Sequence, residues 1–368
     1  MTAPIKVLHV ETGMNLYGGA LQVNYLLRGL AEHEGVESIL VCPENSAIGE
    51  AAKGNVKTLH AIKMKGDLDL LFIPRLMSII RAENPDIVHL HSRRGADIIG
   101  GIAARLSGTL CILTRRVDNP ENRWWARVKY LLYKRVITIS EGIRTVLTGE
   151  GVPPGKVTCV HSAVDTSRYG QVCDSDWFRG EFGLGGDDLA CGVVAQFIDR
   201  KGHRFLLRAI PEILKAVPEA TFIFFGKGPL EGQLKAMCRE LGIEEKVTFA
   251  GFRKDLHRIL GCLDLIIHPA LMEGLGVSLL QAAAAGVPIV AARSGGIPEI
   301  VRDWINGHLI PPADVPSLVD ATTRILVDQD LARRLGDGGR KIAGEHFSIE
   351  SMVKGNLAIY QSIAESTG

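Results

Sequence analysis

The stretch that decides the fold runs from His268 to Glu299, HPALMEGLGVSLLQAAAAGVPIVAARSGGIPE. It is entered by an apolar run, Leu263 to His268, that reads as a buried strand. Glu273-Gly274-Leu275-Gly276 follows, a loop in which two glycines let backbone approach a ligand closely. The spacing then predicts a helix from Val277 to Ala285, stopped by Gly286 and Pro288. A second strand, Pro288 to Ala292, leads into a second glycine loop, Ser294 to Glu299. Two loops at the carboxyl ends of neighbouring parallel strands make a ligand crevice in an open α/β sheet. A carboxylate beside a helix N-terminus suits a polyhydroxyl ligand, with Glu273 accepting from hydroxyls and loop amides donating. On spacing alone, an ordinary βαβ unit with turn glycines is the less favoured alternative for this stretch.

Upstream, the same alternation repeats. Ile5 to Val10 is a strand of the buried kind, and a helix begins after Gly18-Gly19 with Val23, Leu26, Leu27 and Leu30 on one face. Gly18-Gly19 at that helix start is either a phosphate site or a tight turn. It is not G-x-G-x-x-G, and no acidic residue follows a second strand, which argues against a dinucleotide-dependent oxidoreductase. Ser38 to Cys42 is the next strand, and residues 44–70 read as turn-rich and irregular. Asp67-Leu68-Asp69 has a metal-binding D-x-D spacing, but two acids at the start of a helix over Leu70 to Arg81 are better explained by the helix dipole. Strands Ile87 to His91 and Leu110 to Thr114 each end near paired arginines, Arg93-Arg94 and Arg115-Arg116. Such arginines suit phosphate or carboxylate through their bidentate fork, or are solvated surface charges.

From Arg115 to Arg135, basic residues outnumber acidic ones and interleave with Trp124-Trp125, Val128 and Tyr130 to Tyr133. That composition fits a helix on an anionic membrane surface or a helix covering a domain face. Strands Val136 to Ile139 and Val157 to His161 complete a first doubly wound sheet. After a connector over 164–186, a second strand–helix series begins at Cys191, with Arg200-Lys201 on the loop after its first strand. The expected domains are 1–165 with a returning segment 350–368, and 166–349.

Length allows two full cores. Lys+Arg 42 against Asp+Glu 41 leaves +1, so no global field favours nucleic acid. The seven cysteines lack metal-ligand spacing and read as reduced thiols of a cytoplasmic protein. Neither a signal peptide nor a membrane-spanning run is expected.

Taken in order, several motifs resemble family 4 of the retaining glycosyltransferases, including members that build lipopolysaccharide cores. They are Gly18-Gly19-Ala20, Lys201-Gly202, Gly226-Lys227-Gly228-Pro229, Glu273-Gly274-Leu275-Gly276 with Gln281, Gly295-Gly296-Ile297-Pro298-Glu299, Asn306-Gly307 and Phe347-Ser348. The resemblance implies the GT-B fold, two Rossmann-like doubly wound domains facing a cleft, and a nucleotide-diphosphate sugar donor, read here as UDP-linked. It implies that Glu273 bonds the donor sugar with help from the amides of Gly274, Leu275, Gly276 and Val277. Lys201 and Arg200 match the cations on the diphosphate, with Gly18 and Gly19 opposite. Phe252-Arg253 matches the segment that reads the base, and Gln281 stands for the glutamate that bonds the ribose.

Three positions depart from the family pattern. Gln281 replaces a glutamate, and an amide can still bond a ribose diol. Gln196 stands where an arginine is usual. Arg116 stands where many members have a histidine near the reacting centre, and it cannot act as a base near neutral pH. It is expected to stabilise the leaving phosphate or grip an anionic acceptor.

The resemblance further implies metal-independent transfer without a cofactor, and the basic and aromatic residues of the first half point to an anionic glycan or glycolipid acceptor. Arg93, Arg94 and Arg115 are expected on the acceptor side, and the protein is expected to be peripheral at the inner face of an anionic membrane. The rival functions are a nucleotide-sugar epimerase of similar fold and a donor-binding subunit without catalysis.

Overall fold

The computed structural model describes residues 3–16, 18–64, 66, 69–91 and 96–365. The chain divides into two compact units, residues 1–163 with 349–368, and residues 164–348.

The first unit holds a seven-stranded parallel sheet: β1 (Ile5–Val10), β2 (Val36–Pro43), β3 (Thr58–Ile62), β4 (Ile87–Leu90), β5 (Leu110–Arg115), β6 (Arg135–Thr138) and β7 (Val157–Cys159). Their order across the sheet is β3-β2-β1-β4-β5-β6-β7. The central strands are near-continuous apolar runs because helices cover both faces of a parallel sheet. Val7, Leu8, Ile39, Leu40 and Val88 are fully buried. The helix Ile349–Glu365 belongs to this unit and packs on the helix Gly19–Leu30, where a Cβ on Gly29 would lie 2.4 Å from Val353 Cγ2. Met352, Val353, Ile359, Tyr360 and Ile363 join Val7, Tyr25, Leu26 and Ile112 in one core. Each such buried aliphatic side chain contributes about 1.5–3 kcal/mol.

The second unit holds six parallel strands: β8 (Leu189–Val194), β9 (Ala220–Phe225), β10 (Val247–Gly251), β11 (Leu265–His268), β12 (Ile289–Ala292) and β13 (Gly307–Ile310). Their order is β10-β9-β8-β11-β12-β13. The helix His203–Ala216 shows why the core forms: Leu206, Leu207, Ile210 and Ile213 recur at helical spacing and are fully buried against Phe222 and Phe224. In both sheets the strand order reverses beside the first strand, between β1 and β4 and between β8 and β11. Adjacent loops there leave in opposite directions and open a crevice, so these are the positions where an α/β sheet holds a ligand.

Three sequence expectations need correction. Residues 44–70 contain a helix, Ala47–Ala51, and the strand β3. Only one of its neighbours is a strand and its side chains are half-buried, so it lacks the continuous apolar run of a central strand. The connector holds the helix Ser175–Phe182, capped by Asp174. Cys173 and Cys262 form a disulfide with Cα atoms 5.0 Å apart, so not every thiol is reduced. Their 89-residue separation hid the pairing, since only folding brings such distant residues together.

Candidate active site

In the second unit the switch-point loops carry the expected donor residues. Glu273 follows β11, and its Oε2 accepts from Lys201 Nζ and, at 3.0 Å, from His268 Nε2. A carboxylate can only accept, so His268 Nε2 carries the hydrogen. Oε1 accepts from the Gly274 amide at 3.2 Å. Burial would raise the Glu273 pKa, but the hydrogen bond and charge of His268 and those of Lys201 outweigh it and hold the group at about 2. Glu273 is therefore an anion with oriented lone pairs, suited to accepting from hydroxyls.

Backbone contacts fix this cluster. The Glu273 carbonyl accepts from the Gly296 amide at 3.1 Å, Ser294 Oγ donates to the Ala270 carbonyl at 2.8 Å, and the Leu271 amide donates to the Arg200 carbonyl at 2.8 Å. Gly295 has φ +51°, and a Cβ there would lie 1.7 Å from the Glu273 carbonyl oxygen, so only glycine permits this approach. Gly276, at φ +96°, opens the helix Val277–Ala285 with no side-chain cap. The early amides of a helix have no intrahelical partner and, with the dipole, favour an anion or an oxygen acceptor. Leu275 is buried beneath this turn, Gln281 is buried one turn further along, and Gln196 is exposed after β8. Arg200 lies exposed beside Lys201. After β10, Phe252 is 49% exposed, whereas Arg253 is fastened to Asp255 at 2.7 and 2.8 Å and to Glu181.

In the first unit, Gly18 (φ +55°) precedes the helix Gly19–Leu30, which has no acidic residue in its first turn. A Cβ on Gly19 would lie 3.2 Å from Arg116 Cδ, so the glycine turn and Arg116 share one place. Burial lowers the Arg116 pKa to about 10 against the opposing charge of Glu11, and the group stays cationic near neutral pH. Arg115, expected on the acceptor side, is engaged within its own unit. Its guanidinium is 4% exposed, donates to the Val117 and Asn119 carbonyls at 2.9 and 2.6 Å and pairs with Glu121 at 2.8 Å. Successive residues of a strand point to opposite sides, so two adjacent arginines meet different surroundings. Arg93 and Arg94, together with Asp67 and Leu68, lie outside the described residues. Asp69 pairs with Arg75 at 2.5 Å.

Beside Arg116 lies a group that sequence reading did not assemble: His9 on β1 and His89 and His91 at β4, all buried. His9 Nδ1 and His91 Nε2 are 3.0 Å apart, and His89 bonds Tyr360 Oη and Thr114 Oγ1, both at 2.7 Å. Burial depresses all three pKa values, so the imidazoles are neutral. Their nitrogens are close enough together for a metal ion, but both nitrogens of His89 are already engaged and Arg116 opposes a cation. The i, i+2 spacing of His89 and His91 on a strand was the available sequence signal.

The basic aromatic segment is partly internal. Lys129 is buried and pairs with Asp97 at 2.7 Å and Glu121 at 3.0 Å. Trp124, Val128 and Leu131 are 79%, 54% and 69% exposed around the helix Arg123–Lys129. Among the described residues, no helix is long and apolar enough to cross a membrane.

Two sequence families match the chain: Glycosyltransferase Family 4 over residues 17–168 and Glycosyl transferases group 1 over residues 175–342. An Escherichia coli UDP-Gal:alpha-D-GlcNAc-diphosphoundecaprenol alpha-1,3-galactosyltransferase is 23% identical over 89% of each chain. The lipopolysaccharide core biosynthesis glycosyltransferase LpsE of Rhizobium meliloti is 25% identical over 97% of this chain and 99% of its own. Anabaena Alr3699/HepE, solved in complex with UDP, superposes with a TM-score of 0.83 at 19% identity, over 97% of this chain and 100% of that one. The shared fold, the two Rossmann-like units and the two family matches agree: the chain is a glycosyltransferase of GT-B architecture, built from a Glycosyltransferase Family 4 domain followed by a Glycosyl transferases group 1 domain.

Proposed function

We propose that the protein is a retaining, metal-independent glycosyltransferase that takes its sugar from a UDP-linked donor. The observation that carries this reading is the Glu273–Lys201–His268 cluster at the switch point of the second sheet. The UDP complex of the structural neighbour supports the choice of nucleotide. Glu273 would accept hydrogen bonds from the donor sugar, and Lys201 would turn from Glu273 to the diphosphate. As the sugar–phosphate bond breaks, negative charge grows on the diphosphate. Lys201 and Arg200 are the groups beside Glu273 that would stabilise it. A preorganised donor of this kind contributes about 2.7–4 kcal/mol to a transition state. With the cations supplied by side chains, a divalent ion is not needed, and chelation should leave the rate unchanged. In a front-face course the departing phosphate oxygen takes the incoming hydroxyl's proton as the new bond forms, so no protein base is required. That front-face course retains anomeric configuration.

For the acceptor we propose an anionic glycan on a lipid, of the lipopolysaccharide or lipid-linked kind, reached while the exposed Trp124, Val128 and Leu131 rest on an anionic membrane. The relatives that act on a diphosphoundecaprenol-linked sugar and in lipopolysaccharide core synthesis support this class. A thermal-shift screen of nucleotide sugars tests the donor: a ligand at 100 times its dissociation constant should add about 2.7 kcal/mol. Stabilisation by UDP-sugars that survives in Glu273→Ala with no loss of transfer would overturn the reading.

A further inference from the structure

At the carboxyl end of the first sheet, a small cavity is lined by His91, Thr114, Arg116, His161, Ser162 and Asn356, with apolar side chains of the sheet and of the two flanking helices around them. It has room for a single water-sized atom. Three of the polar atoms on its wall have no hydrogen-bond partner: His91 Nδ1, Ser162 Oγ and Arg116 Nε. His91 is 2% exposed and Ser162 1%, so bulk water does not satisfy them, and such groups are rarely left unpaired in a folded protein.

The unpaired atoms can all serve as donors. Arg116 Nε can only donate. Ser162 Oγ can donate. His91 Nε2 faces His9 Nδ1 at 3.0 Å, so a hydrogen given by His9 leaves the hydrogen of His91 on Nδ1, toward the cavity. The Asn356 amide is committed to the Met352 carbonyl at 2.9 Å, and Thr114 to His89 at 2.7 Å. Glu11 acts on Arg116 electrostatically but does not line the cavity. Arg116 is thus the cation on the wall, accompanied by donors.

We infer that this cavity anchors one oxygen of a monoanionic group, a carboxylate or a phosphodiester, carried by the acceptor. A single cation and neutral donors balance one negative charge, and charge-assisted hydrogen bonds give the grip. The inference rests on the transferase reading for the word acceptor, but the site itself can be tested without turnover. The full chain is titrated with acetate and with dimethyl phosphate at constant ionic strength, with acetamide and trimethyl phosphate as neutral counterparts. Melting temperature and the imidazole nitrogen shifts of His91 are followed, and UDP binding is measured on the same samples.

Saturable binding of at least one anion, absent for its neutral counterpart and weakened at least tenfold in Ser162→Leu, is expected. Acetate alone would assign a carboxylate, dimethyl phosphate alone a phosphodiester. If neither anion saturates, or Ser162→Leu and wild type respond alike, the subsite is wrong. Asn356→Leu fills the same space from the helix Ile349–Glu365 and must give the same loss if Ser162→Leu misfolds. Normal UDP binding beside failed anion binding rejects the subsite alone, whereas failed UDP binding rejects the donor reading instead.

Discussion

At the switch point of the second sheet the buried charges are answered. Glu273 and Lys201 neutralise each other, His268 bonds the same carboxylate, and the backbone of three loops is fastened around them. At the first sheet, His9, His89 and His91 are held neutral, and Arg116 Nε, His91 Nδ1 and Ser162 Oγ lack partners. Both edges come from the same strand order, so topology does not separate them. What differs is the state in which each waits. A paired cluster must exchange an internal ion pair for ligand contacts, which favours a ligand with its own hydroxyls and phosphates. An unpaired one has contacts still to make, which favours an anion of the right size.

The sharpest break in this contrast comes at Glu273. Glu273→Ala should lower kcat/KM by about 10²–10³-fold while UDP itself still binds, because in the proposed donor mode the carboxylate serves the sugar rather than the nucleotide. Steady-state rates beside UDP titration check this. Glu273→Gln adds a pH signature. The folded pKa of about 2 lies below the ordinary 4.5, so the stability that the carboxylate contributes is present above pH 4.5 and lost as pH falls toward 2. The variant should flatten acid unfolding in that window.

Next in size is the pair Arg115 and Arg116. Arg115→Met should cost about 3 kcal/mol by leaving Glu121 and two carbonyls short of their buried partner. Arg116→Met should leave chemical denaturation nearly unchanged and lose transfer. Equal losses of stability would show that Arg116 is structural after all. Gly295→Ala should cost about 1–3 kcal/mol, through positive φ and the collision with the Glu273 carbonyl, and should lower activity with it.

His203 offers a smaller test behind the paired cluster. It is 2% exposed, meets Phe197 edge-on and Phe224 at a tilt, and neither ring nitrogen has a partner. Burial first, then His268 and Lys201, lower its pKa to about 4 from the ordinary 6.5. The unfolded chain therefore takes the proton first, and stability falls as pH drops from 6.5 toward 4. His203→Phe should remove that slope and add about 1 kcal/mol at neutral pH, read by denaturant unfolding. Trp124→Ala should change stability by less than about 0.5 kcal/mol. Its effect should appear in co-sedimentation with anionic vesicles, and unchanged sedimentation would remove Trp124 from the membrane-facing surface.

Much of the site at the second sheet was legible in the sequence because its parts are local. Glu273-Gly274-Leu275-Gly276 and Ser294 to Glu299 each announce a loop by glycine, and each sits after a short apolar strand. The first-sheet site was legible only in fragments. Arg115 and Arg116 look alike in the sequence, yet one forks onto Glu121 and two carbonyls while the other faces the Gly18-Gly19 turn. Which does which depends on strand direction and on a residue six positions further along. The Cys173–Cys262 pair and the His9–His91 contact join residues 89 and 82 positions apart, and no spacing rule connects them.

The sequence by itself determined the alternating strands and helices, the two doubly wound sheets and the glycine-gated loop that carries Glu273. Apolar runs, helical periodicity and glycine at obligate turns are properties of short segments, and they act wherever the chain goes. Only the tertiary structure decided the ionisation and pairing of the site. Lys201 meets Glu273 because β8 and β11 are neighbours, and His9 meets His91 because β1 and β4 are. Packing then sets the charges: His268 and Lys201 hold Glu273 ionised against its burial, and burial holds the three histidines neutral. Desolvation and the distance between charges are properties of the packed molecule, and the order of residues along the chain does not contain them.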